Sequence, residues 1–124
     1  MSYTVTDAEN AIADHEFVDT YTYGGETRTR RSSGWDEWSE LYEAKADAVE
    51  VDGIGMVKAI DGEDAGEGDY AAGVFVVFEV TDSEGGVRHF RKNGYYQSYN
   101  GTEWDGDFFE AKQVEKVITV WGRA

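Results

Sequence analysis

The chain has 124 residues, no cysteine and a formal net charge of −15. That length fits a single domain over 1–124 with a core of its own, and 40% apolar residues with 15% aromatics are too many for a disordered chain. The missing cysteine excludes disulfides, thiolate catalysis and Cys-ligated zinc, while the charge disfavours direct binding to nucleic acid or anionic membrane and favours basic partners.

The opening MSYTVTDAEN has neither a basic n-region nor an apolar h-region, so no secretory signal is expected. No apolar run reaches the roughly 18–20 residues of a membrane span. Residues 6–16, TDAENAIADHE, predict a short helix with Thr6 as its cap and Glu9 completing a capping box. Residues 17–23, FVDTYTY, alternate apolar or aromatic with polar side chains, the pattern of a strand. Gly24-Gly25 turns the chain, and Arg28, Arg30 and Arg31 follow as its one arginine cluster.

Residues 35–48 read two ways. Trp35, Trp38, Tyr42 and Val49 fit a helical stripe, with alanines at 44, 46 and 48 in support. Yet WSELYEAK at 38–45 resembles WDGDFFEAK at 104–112, and each precedes a β-branched stretch, VEV at 49–51 and VITV at 117–120. A degenerate internal repeat would require the same element in both copies, and the second copy reads as strand. Residues 54–60, IGMVKAI, form a further strand candidate.

Residues 73–80, GVFVVFEV, are nearly continuous in valine and phenylalanine and suit a central strand buried on both faces. SEGG at 83–86 turns into VRHFRK, and Asn93-Gly94 signals a tight hairpin because a type I′ turn needs positive φ at both central residues. A second Asn-Gly stands at 100 and 101, where Asn100-Gly101-Thr102 also matches a glycosylation sequon that reads as a turn. The expected fold class is α+β: a predominantly antiparallel meander over 74–121, a short N-terminal helix, and a second helix at 35–48 on one of the two readings.

Charge is concentrated. From Asp36 to Asp69 twelve acids stand against Lys45 and Lys58, −10 in 34 residues, and the other 90 residues carry −5. Within DGEDAGEGDY at 61–70, Asp61, Glu63, Asp64, Glu67 and Asp69 are separated by glycines and by no base. An EF-hand beginning at Asp61 fails, because loop position 5 is Ala65 and position 12 is Ala72. His15 and His89 form no metal-binding pair, and GxSxG and GxGxxG are absent. Carboxylates are numerous, but no spacing singles out a catalytic pair. No catalytic residue, metal or cofactor is therefore expected. Tyr95, Tyr96, Tyr99 and Trp104 read either as core and turn residues or, beside carboxylates, as a protein-binding patch.

GEGD at 66–69, FRKNGYYQSYNG, WDG and the terminal EAKQVEKVITVW resemble a set of small bacteriophage-encoded proteins with a GEG turn, a GYYxSYxGxxWDG centre and an EVxPVEKxVTVY strand. The resemblance runs from residue 66 to the C-terminus and extends weakly to WSELYEAK. The chain departs from the pattern at Gln113, where proline is usual, and at Ala111, where valine is common. No activity comes with it. It implies a phage or prophage origin, and small acidic phage proteins are often inhibitors of host machinery, anti-CRISPR proteins and other DNA mimics among them.

The expectation is a non-enzymatic inhibitor acting in the host cytoplasm. Its acids would occupy the nucleic-acid-binding site of a basic host protein, a CRISPR effector or another defence protein. Asp61, Glu63, Asp64, Glu67 and Asp69 lead the candidate contacts, followed by Glu40, Glu43 and Asp47 and by the four aromatics. The alternative is a β-rich phage structural or assembly module that self-associates, as a homodimer or more, through sheet edges.

Overall fold

The computed structural model describes residues 3–63, 71–97, 101–112 and 122. The fold is α+β with antiparallel sheets. In chain order the elements are α1 (Val5–Asp14), β1 (Phe17–Tyr23), β2 (Glu26–Ser32), α2 (Trp35–Glu43), β3 (Val49–Val51), β4 (Gly55–Glu63), β5 (Ala71–Thr81), β6 (Val87–Gln97), β7 (Gly101–Glu103) and β8 (Phe108–Ala111). β1 and β2 form a separate hairpin. The other strands form one sheet in the order β3-β4-β5-β6-β7, with β8 also paired to β6.

α1 starts two residues earlier than its sequence suggests. Thr4 is the cap, accepting from Asp7 N–H, and Asp7 closes the box by accepting from Thr4 N–H. Both Thr4…Asp7 and Thr6…Glu9 satisfy the motif, and the earlier start buries Ala8 and Ile12 with Tyr3 and Val5 packed beside them. The ambiguous segment is a helix only over Trp35–Glu43. It ends in a Schellman closure: Lys45 takes φ 53°, its N–H donates to Tyr42 O, and Ala46 N–H donates to Leu41 O. Helix at 35–43 and strand at 108–111 remove the internal repeat, since its two copies are different elements.

Both helices pack on one face of the large sheet. Ile12, Trp38, Val57, Val76, Phe78, Val80 and Phe90 are the largest fully buried side chains, each contributing about 1.5–3 kcal/mol on burial. β5 alternates, with Val74, Val76, Phe78 and Val80 buried and Phe75, Val77 and Glu79 on the half-open face. Among the described residues it is therefore covered by helices on one side only, and its unbroken apolar run concealed that period. Phe75 gains partial cover from the Arg91 guanidinium, 3.9 Å from its ring centroid.

Asn93-Gly94 makes no turn. Both residues lie inside β6, paired with Phe75 and Val74 of β5. Along the other side of β6, β7 and β8 act as one strand broken by residues 104–107, which face only Asn93 and Gly94. A Cβ at Gly94 would stand 2.8 Å from Trp104 Cε3 and 2.9 Å from Glu103 O. The glycine permits this close approach, and the bulge swings the Trp104 ring onto the core. Gly101 does take a turn conformation, with φ 76°. The 117–120 part of the expected meander lies outside the described residues. No helix among the described residues is long and apolar enough to cross a membrane.

Candidate partner-binding site

α2 presents its apolar side, with Trp38, Leu41 and Tyr42, to the core. Asp36, Ser39, Glu40 and Glu43 follow at helical spacing on the opposite flank. That flank, together with Val74, Thr102 and Trp104, lines an open groove of about 330 Å³. The Trp104 indole donates from Nε1 to Asp36 Oδ1 at 2.7 Å, tying the β7–β8 bulge to the first turn of α2. Asp36 and Glu37 in that turn also complement the helix dipole. Glu40, Glu43 and Asp47 are exposed. No described base forms an ion pair with Glu37, Glu40 or Asp47. Asp36, Glu40 and Glu43 stand over seven residue steps, about 10 Å of helix axis, so neighbouring carboxylates are roughly 5 Å apart along it, a wider spacing than the about 3.4 Å between charges of one DNA strand.

The remaining candidates separate. Gly62 lies against Tyr42, since a Cβ there would meet the ring at 3.1 Å. The entry to the acidic stretch therefore adjoins the C-terminal end of α2. Asp61 itself turns to the uncovered sheet face, where it joins Val77, His89, Arg91 and Lys112 around a hollow of about 410 Å³. Glu63 ends β4, and Asp64, Glu67, Asp69 and Tyr99 lie outside the described residues. Tyr95 is exposed on the uncovered face, opposite Glu103. Tyr96 is half-buried on the groove side, opposite Thr102. Asp47 follows the helix and does not line the groove. Asp36 was the residue missed: it groups with Glu40 and Glu43 only once α2 is known to be helical.

His89 Nε2 stands 3.3 Å from Glu79 Oε2 across β5 and β6. β6 is paired on both sides there, so His89 is not an edge residue. Arg88 clamps β8 through Glu110 with two 2.9 Å bonds and reaches Tyr3 O at 2.6 Å. Its guanidinium holds the Glu110 carboxyl below the usual range. Lys92 is buried, donating to Gly106 O at 2.7 Å with Glu9 Oε2 at 3.9 Å. Among the described residues no three His, Asp or Glu side chains gather as a metal site.

The acidic helix flank with its bonded tryptophan is the arrangement best suited to a basic protein surface. It offers carboxylates for Arg or Lys and, beside them, a half-buried indole ring. Neither a protein-family model, nor a curated protein, nor a solved structure matches this chain.

Proposed function

We propose that this protein is a phage-encoded, non-enzymatic inhibitor that binds a basic, nucleic-acid-binding host protein in the host cytoplasm. A CRISPR effector or another defence nuclease is the class of target. The observation that supports this reading is the convergence of Asp36, Glu40 and Glu43 beside Trp104 in one groove. The acids occupy the phosphate subsites of the target, and the net charge of −15 speeds encounter at low salt.

The test is affinity capture from nuclease-treated host lysate with a salt-gradient elution read by mass spectrometry. A nucleic-acid-binding protein released at moderate salt, and displaced by DNA or guide RNA, is the expected result. Glu40→Gln with Glu43→Gln should weaken binding to that protein by about 3- to 10-fold per acid at low salt, the equivalent of roughly 1 kcal/mol each. Unchanged affinity in the double variant at low salt would remove the acidic-face reading.

A further inference from the structure

The β1–β2 hairpin stands away from the core. Residues 18–23 and 26–31 are all exposed, and among the described residues the hairpin is anchored at its root, through Phe17, whose ring centroid is 5.0 Å from that of Trp38. Among the described residues each of its strands pairs only with the other. A lone two-stranded ribbon is marginal in water. Its composition nevertheless favours strand pairing: Val18, Thr20, Tyr21, Thr22 and Tyr23 are β-branched or aromatic.

We propose that β1 pairs antiparallel with β1 of a second copy of this chain, about a two-fold axis at Thr20. The Gly24-Gly25 loop, with φ of 61° and 84°, is a type I′ turn and makes Tyr23–Glu26 a hydrogen-bonded rung. Alternation along the ladder then turns the N–H and C=O groups of Val18, Thr20 and Thr22 outward on the free edge. Around Thr20 these groups match themselves: Thr20 faces Thr20, Val18 faces Thr22 and Asp19 faces Tyr21, for about six new backbone bonds. β2 lacks this self-complementarity. Pairing about its centre, Thr29, would set Arg28 opposite Arg30 twice, and like charges directly opposed are destabilising.

Charge favours the hairpin as the meeting point. Arg28, Arg30 and Arg31 against Asp19 and Glu26 leave it at +1, while the rest of the chain carries −16. Its arginines are already engaged, Arg28 with Glu26 at 3.6 Å, Arg30 with Asp19 at 3.9 Å and Arg31 with Glu16. That argues for a second copy over a nucleic-acid ligand. Because two acidic bodies approach, added salt strengthens this contact, whereas it weakens the binding proposed for α2. The two proposals therefore fail separately.

Sedimentation equilibrium of the full chain at low and at moderate salt is the test. A species of twice 13.8 kDa, favoured by salt, is expected. Thr20→Pro removes an outward N–H without touching a rung of the hairpin, and Thr20→Lys charges the edge. Each should raise the dimer dissociation constant by at least about tenfold. The cysteine-free chain also allows unambiguous crosslinking. Thr20→Cys places two sulfurs on residues about 5.5 Å apart at Cα, within disulfide reach, and should crosslink under mild oxidation. In Thr22→Cys the two positions stand roughly 14 Å apart, and Thr27→Cys lies on the other edge, so neither should crosslink. A monomer at all concentrations, a dimer indifferent to both Thr20 substitutions, or preferential crosslinking of Thr27→Cys would each overturn the proposal. So would nucleic-acid binding that Arg28→Ala with Arg30→Ala abolishes.

Discussion

The Trp38 indole is fully buried and donates from Nε1 to the Ile12 carbonyl at 2.8 Å. That carbonyl belongs to the last turn of α1, which carries no basic residue to serve its acceptors. Trp38 thus packs the core and closes the C-terminal end of a neighbouring helix. Trp38→Phe keeps most of the ring and leaves the acceptor unmet, so a loss of about 1–3 kcal/mol is expected. Trp38→Ala should cost about 3–5 kcal/mol. Urea midpoints at unchanged m-value measure both, and an unmoved midpoint in Trp38→Phe would show the bond to be energetically silent. Trp38 was legible as an apolar position in a helical stripe, but its bond to Ile12 joins residues far apart in sequence. Lys92 was not legible as a core residue, because its partners, Gly106 O and Glu9, come from elements that only the fold brings together.

At the scale of elements, legibility followed local periodicity. β1 was readable to its boundaries because FVDTYTY is rich in β-branched and aromatic residues and ends at Gly24-Gly25, although residues 18–23 are all exposed and show no buried face. β2 was hidden: ETRTRRS has no apolar residue and becomes a strand only through its partner across Gly24-Gly25. Asn93-Gly94 misled for a related reason, since the dipeptide that permits a tight turn also permits a bulky ring to approach. Gly94→Ala distinguishes these roles. Its added Cβ meets Trp104 Cε3 at 2.8 Å and Glu103 O at 2.9 Å, so destabilisation of about 1–3 kcal/mol is expected. In a Trp104→Ala background that cost should shrink, which a double-mutant cycle reads directly. Equal cost in both backgrounds would assign the glycine to the β7 backbone alone. The candidate site shows the same division. Its acids on α2 were visible in sequence, but their meeting with Trp104 depends on an Asp36–Trp104 bond spanning 68 residues.

For the whole molecule, the net charge of −15 sets two opposing effects of acid. Lowering the pH from 7 toward the pI of about 4.3 reduces the net negative charge, which relieves self-repulsion in the compact state and raises stability. Three carboxyls act the other way. Asp7 is held low by its bonds from Thr4, Asp82 by the N–H groups of Gly86 and Glu84, and Glu110 by Arg88. A depressed folded-state pKa contributes stability that is present above the unfolded value and is lost as pH falls through the folded one. Stability should therefore peak at about pH 4–5 and decline below about pH 4, where these three take up protons. Salt separates the components: it should raise the thermal midpoint clearly at pH 7 and little near the pI of about 4.3. Asp7→Asn with Asp82→Asn should flatten the acid limb and leave the rise from pH 7 intact. Thermal melts from pH 2.5 to 8 at low and moderate salt test both claims. A midpoint that falls steadily from pH 7 would mean that the acidic surface is not under repulsive load, so that its charge is matched locally instead of held open for a basic partner.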